Sequence, residues 1–251
     1  ATLLGIPDES LSSKYALEAR FTASVDITTE VEDDGKHGIW FNRGAIASQA
    51  FAEQFKNVAL TRDQYTDPDN KEVAWLSRGL LEACIAYISE TPAGDALRIC
   101  AYEFTFLRVA KELKAAIDRG VDVKIVFHDT NANNTNVTAA ELPEKVGGKQ
   151  ILFRRTKTKI PHNKFIVRLE GGTKPVAVFT GSTNFTPSGF LGQTNVGHKV
   201  TDDAIAKTYL KFWTGLAKDP DDDHATVSAV TLTPKRGTRP SAPKDQRTTS
   251  A

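Results

Sequence analysis

Four polar side chains in two short segments have the types and spacing needed to act on a phosphodiester. In KIPHNKFIV, His162 and Lys164 stand two residues apart on a predicted strand. Strand alternation turns both to one face and sends Asn163 to the other. In VFTGSTNFTPSGF, Ser182 and Asn184 repeat the i, i+2 relation directly after Gly181. A glycine at the strand end lets the backbone come close to a ligand. The anionic oxygens of a phosphodiester repel nucleophiles, so a fixed cation and hydrogen-bond donors must neutralise charge that builds in the transition state. Lys164 supplies the cation, and Ser182 and Asn184 supply neutral donors. His162 supplies a nitrogen nucleophile. Such a site asks for no metal, and the sequence offers neither a set of carboxylates beside it nor a Cys/His cluster with zinc spacing.

The elements around these segments alternate. Residues 72–89 carry Val73, Leu76, Leu80, Leu81, Cys84 and Ile88 near helical spacing, which predicts one helix. LRICAYEF (97–104) predicts an apolar strand, 106–119 a helix that stops at Gly120, and 121–129 a second strand. Strand, helix and strand over about 30 residues make a βαβ unit with parallel pairing. NANNTNVTAAELPE (131–144) reads as a surface excursion, and its Asn133 and Asn136 stand in N-x-S/T sequons. Strands are expected at 149–155, 163–169 and 175–181, the last two around a hairpin-like EGGTKP turn, with a closing helix at 202–217. Residues 1–35 read as short strands and turns, IWFNRG as a buried strand end, and Ala45 to Phe55 as a short helix.

Totals narrow the function classes. The chain has 251 residues, 40% of them hydrophobic and 25% charged, with a formal net charge of +1, so no global field draws a polyanion. Affinity for one would have to come from a local run such as RRTKTK (154–159). There is no apolar run of about 18 residues, which argues against a membrane-spanning helix. The first residues lack the pattern of a signal peptide, and the compartment stays open. Cys84 and Cys100 read as buried thiols, with a disulfide possible but not forced. The chain contains no Met; with the Pro/Thr/Ser/Lys-rich end, this suggests a piece of something longer.

His162, Lys164, Gly181, Ser182 and Asn184 resemble the phospholipase D superfamily, whose signature is H-x-K-x-x-x-x-D followed by G-S-x-x-N or a close variant. The βαβ unit at 97–129 and QTNVGHKV (193–200), ahead of a helix that ends in FW, are similar too, so the resemblance covers roughly 72–220. It implies a mixed αβαβα sandwich of which this chain forms one half-site lobe. Residues 1–234 would be the domain and 235–251 a linker or tail. It further implies a phosphohistidine intermediate on His162, no cofactor, and Lys164 and Asn184 at the reacting phosphate. Ser182, Gly181, Glu103 and His198 are the substrate-side candidates. For His198 the plainer reading is a structural histidine, and the same holds for His128.

The position seven after His162, Asp in the signature, is Leu169 here, and Glu170 would face away on a strand. The sequence has a single H-x-K. The family's site needs two, so the second would come from a missing C-terminal half or from a homodimer. Phospholipid and nucleic acid both remain open as substrates. PSGFLG (187–192) is a candidate apolar rim for a lipid, and RRTKTK a candidate groove for a nucleic acid. The alternative function is a catalytically degenerate half that serves as a scaffold or binds nucleic acid.

Overall fold

A computed structural model describes residues 31–44, 49–56 and 60–221. The expectations for residues 1–30, for 45–48 and for the tail at 235–251 lie outside the described residues. By backbone contacts Ala1–Glu32 separates from Asp33–Ala251, and the helices and strands of the described fold all belong to the second unit.

In chain order the elements are β1 (His37–Phe41), α1 (Gln49–Phe55), α2 (Arg62–Thr66), α3 (Lys71–Ser77), α4 (Leu80–Ser89), β2 (Ala96–Ala101), α5 (Leu107–Asp118), β3 (Asp122–His128) and α6 (Asn131–Ala139). They continue with β4 (Lys145–Val146), β5 (Lys149–Gln150), β6 (Leu152–Arg155), β7 (Lys164–Glu170), β8 (Lys174–Gly181), α7 (Pro187–Leu191), β9 (Val196–Thr201) and α8 (Asp203–Leu216). Seven strands form one sheet in the order β1-β9-β8-β7-β2-β3-β6. The βαβ unit makes β2 and β3 parallel, β6 adds in parallel to β3, and every other neighbour pair is antiparallel. The β4–β5 hairpin stands apart.

Alternation along the central strands divides the core in two. Leu97, Ile99, Ile166 and Phe179 face the helices α3 to α5 and α7. Cys100, Phe165, Val167, Val178 and Val200 face α8. Each large apolar side chain buried this way contributes about 1.5–3 kcal/mol. On the α8 side the ring of Phe165 lies between Tyr209 and Phe212, and the Trp213 indole N–H donates to Ile99 O at 2.7 Å. The result is the mixed α/β sandwich expected, as a single helix–sheet–helix lobe. No helix among the described residues is long and apolar enough to cross a membrane.

Three expectations change. The helix expected over 72–89 is two helices, because Arg78 (φ 48°) and Gly79 (φ 87°) are both left-handed. Ser77 Oγ accepts from Leu81 N at 2.8 Å and so opens α4 as α3 closes. The apolar period runs on across the break because both helices bury the same side. IWFNRG is an edge strand rather than a buried one: Ile39 and Phe41 are 44% and 55% exposed, and only Gly38 and Asn42 are buried.

The polar stretch after β3 is a helix, capped by Thr130, whose hydroxyl accepts from Asn133 N. Asn133 and Asn136 are buried, and both amides bond to backbone. Asn133 Oδ1 accepts from Phe104 N at 2.7 Å and its Nδ2 donates to Tyr102 O and His128 O, while Asn136 Nδ2 donates to Phe104 O. Neither amide is open to a glycan in the folded chain. The two cysteines, finally, are free thiols in different core clusters on opposite faces of the sheet. Burial pushes each thiol up to about 12, which leaves them inert as nucleophiles.

Candidate active site

One end of the sheet gathers the polar residues. β2 and β3 end there, β7 and β9 begin there, and β8 ends there, because β7 runs antiparallel to both β2 and β8. Ala101 is opposite Lys164, and Gly181 is opposite Gly197.

His162 lies just before β7 and is exposed, while Lys164 opens the strand and is only 7% exposed. Lys164 Nζ sits 3.0 Å from His162 Nδ1 and 3.2 Å from Nε2, and it donates to His162 O at 3.1 Å. At these two distances the ammonium stands over the face of the ring, beside both nitrogens. Burial lowers the pKa of Lys164 from the ordinary lysine range, and the carboxylate of Glu103 works against that shift. Behind the imidazole stands Tyr102, with ring centroids 5.0 Å apart, and Tyr102 in turn stacks on His128 at 5.6 Å.

Glu103 joins the group from the loop after β2. Its Oε2 accepts from Asn184 Nδ2 at 2.6 Å, whereas Asn184 Oδ1 is buried with no partner among the described residues. Lys164, Glu103 and Asn184 thus form one electrostatic chain beside His162. Ser182 belongs to a neighbouring network. Its hydroxyl donates to Asn195 Oδ1 at 2.8 Å and accepts from Val196 N at 3.1 Å, rather than bonding to His162 or Lys164.

Asn195 is fixed by Asn42, whose Oδ1 accepts from Asn195 N at 2.7 Å. Asn42 Nδ2 also donates to Phe190 O and Gln193 O at 2.7 Å each, holding α7 under the loop. Thr186 caps that short helix through Gly189 N at 2.8 Å. Tyr102, Asn195 and Asn42 escaped the sequence reading. Tyr102 directly precedes Glu103 at a strand end, which is a signal of a kind, but nothing local marks Asn42, 153 residues from its partner.

His198 is not brought into this group. It shares its face of the sheet with Val200 on the α8 side, while Lys164 shares the opposite face with Ile166. Its partner is His37, with Nε2 3.1 Å from His37 Nδ1. Burial and the neighbouring His37 lower its pKa below the usual histidine range. Leu169 is buried in the core on the α8 side at 4% exposure, beyond a β-bulge at Arg168/Leu169, and Glu170 turns outward to Lys174. The end of β7 is held instead by Asp95, which accepts from Arg168 Nε at 3.0 Å and from Gly171 N at 2.9 Å.

The two candidate substrate surfaces are largely consumed internally. In RRTKTK, Arg154 pairs with Glu144, and Arg155 is buried against Asp219, which leaves Lys157 and Lys159 exposed. In PSGFLG, Phe190 and Leu191 are core residues at 0% and 1% exposure, so they form no apolar rim.

Gly181 has a sharper role than closeness to a ligand. Its φ is +153°, and a Cβ there would meet Val196 O at 2.1 Å. Gly181→Ala is expected to destabilise the fold by roughly 2–4 kcal/mol through overpacking and backbone strain, read from urea unfolding midpoints.

The lobe brings one H-x-K and one G-S-x-N to a single end of its sheet. Residues 85–214, just over half of the chain, match the family described as cardiolipin synthase, PLD-like domain. The chain belongs to this phospholipase D-like family. It is similar to Nuc from Salmonella typhimurium, described as a phospholipase D family member: 25% identity, 53% of this chain and 84% of that one covered, TM-score 0.44. It is also similar to NucT from Helicobacter pylori, at 23% identity, with 57% of this chain and 90% of that one covered and a TM-score of 0.46. With phosphatidylserine synthase from Haemophilus influenzae it shares 13% identity over 73% of this chain and 47% of that one, at a TM-score of 0.40. A search among curated proteins finds no match.

Proposed function

We propose that the chain is one half of a metal-independent phosphodiesterase that works through a phosphohistidine on His162. A ring nitrogen of His162 attacks phosphorus, and the bond to the leaving oxygen breaks. That oxygen takes a proton from a second imidazole, supplied by the H-x-K of another subunit or of a further half. Water then attacks phosphorus and gives a proton back to the second imidazole, the P–N bond breaks, and the phosphomonoester is released. Lys164 and Asn184 neutralise the non-bridging oxygens, Glu103 keeps Lys164 charged against its burial, and Ser182 with Gly181 shapes the adjoining loop. The observation that carries this reading is the buried Lys164 ammonium in contact with the exposed His162 ring. The substrate class stays at phosphodiester, lipid or nucleic acid, because neither RRTKTK nor PSGFLG offers the surface expected of it.

The test is hydrolysis of bis(p-nitrophenyl) phosphate by the whole protein in EDTA, followed by rapid quenching and mass analysis of the His162 peptide. Turnover in chelator with a phosphoryl adduct on His162 is the expected result. Cleavage abolished by EDTA, or turnover with no adduct on that peptide, overturns the mechanism. The buried Leu169 at the signature's Asp position favours a second reading, a non-catalytic half that binds without cleaving. That reading predicts neither turnover nor adduct, at any protein concentration.

A further inference from the structure

The phosphodiesterase chemistry makes no use of the pair His37 and His198. These residues lie on adjacent strands, β1 and β9, at diagonal positions: His37 is opposite Val200, and His198 is opposite Ile39. Their side chains therefore leave the same face of the sheet. His37 Nδ1 and His198 Nε2 are 3.1 Å apart, the ring centroids 5.3 Å, and the ring planes differ by 26°. The centroid separation is close to the N···N distance plus a ring radius at either end. The two nitrogens consequently lie between the rings and point at each other. Among the described residues neither ring has another hydrogen-bond partner, and His37 is exposed.

Two imidazole lone pairs that face each other in this way share one proton, since one ring donates and the other accepts. A divalent transition-metal ion can take the place of that proton. Zinc binds imidazole nitrogen at about 2.0–2.1 Å, so two nitrogens at a tetrahedral angle stand about 3.3 Å apart, a few tenths of an ångström from the spacing already present. The remaining nitrogens, His37 Nε2 and His198 Nδ1, stay free to carry the tautomeric protons. Asp34, whose carboxylate accepts from the His37 backbone N at 2.6 Å, adds negative charge beside the pair. No third His, Cys, Asp or Glu among the described residues completes the set, so water fills the other positions.

We propose that His37 and His198 form a two-imidazole site for a divalent transition-metal ion, which clips β1 to β9. The site is separate from the catalytic residues, on the opposite face of the sheet from Lys164. Its place in the fold gives it a consequence, since β1 runs directly into Asn42, the residue that clamps Asn195 and α7.

The experiment titrates zinc chloride into EDTA-stripped, buffer-exchanged full-length chain and reads stoichiometry by calorimetry and Tm by thermal unfolding. One equivalent should bind per chain. At about a hundredfold excess over Kd, the Tm should rise by roughly 5–10 °C. His37→Gln and His198→Gln should each abolish both responses. His162→Gln should keep them, which separates this site from the exposed imidazole of the catalytic group. Circular dichroism checks that each variant is folded, and the exposed His37→Gln carries the test if His198→Gln is not. A wild-type Tm unmoved by zinc, copper or nickel overturns the proposal, as does zinc binding that survives in His37→Gln or vanishes only in His162→Gln.

Discussion

Replacing His162 by glutamine is expected to lower kcat for an activated phosphodiester at least about 10⁴-fold and to leave stability nearly untouched. The two effects separate because of where the residue sits. His162 is exposed, lies outside β7, and meets Tyr102 and Lys164. Glutamine retains a polar group that Lys164 can hold, so the cradle survives while the nitrogen nucleophile is lost. Steady-state kinetics with bis(p-nitrophenyl) phosphate and a urea titration read the two quantities side by side. A variant within tenfold of wild type would remove His162 from the reacting position. A variant that unfolds would instead show that the ring is structural.

Asp219→Ala is expected to cost about 3–5 kcal/mol, the usual penalty for removing one partner of a buried ion pair. Arg155 is only 2% exposed, and its Nε donates to Asp219 Oδ1 at 3.1 Å. The same carboxylate accepts from Thr156 N at 3.0 Å and Thr156 Oγ1 at 2.6 Å. One acidic side chain after α8 therefore fastens the loop that leads from β6 to His162. Alanine leaves the guanidinium buried without its anion.

The same contacts make stability depend on pH. Burial raises the Asp219 pKa, but the bonds from Thr156, Lys157 and Arg155 outweigh it, and the net shift is downward. A carboxyl depressed in the folded state stabilises the fold above the unfolded value, near 3.9, and loses that contribution as pH falls through its folded pKa. The difference in unfolding free energy between wild type and Asp219→Ala should therefore be largest near neutrality and shrink below about pH 4. Urea unfolding at several pH values measures it. A gap that widens in acid would contradict the sign.

The candidate site residues were legible because their signal is local. The i, i+2 spacing of His162 and Lys164 and the glycine before Ser182 are properties of a few consecutive residues. Their meaning needs only strand alternation and a tight approach. The βαβ unit was legible for the same reason, since its apolar periods are continuous within each element. The break at Gly79 was not, because Leu76 and Leu80 keep the helical phase on both sides of it.

The least legible parts are asparagines. Asn133 and Asn136 lie in a stretch whose composition reads as loop, yet their amides bind backbone 29 to 32 residues away. Asn42 and Asn195 meet across most of the chain. Composition cannot reveal that a polar side chain is buried when its partners are remote carbonyls. Basic runs mislead in the converse way. Arg154 and Arg155 read as a surface charge until Glu144 and Asp219 arrive from elsewhere in the fold.

The position of His162 ahead of β7 has a mechanical meaning. Lys164 is pinned by pairing with Ala101 across the sheet, whereas the imidazole stands on the segment ahead of the strand, against Tyr102 and the Lys164 ammonium. Forming and then breaking a bond to phosphorus requires the attacking atom to travel, while the groups that hold the oxygens must stay put. In the proposed mechanism, a cradle anchored in the sheet and an attacking imidazole on the segment ahead of it let one advance without disturbing the other.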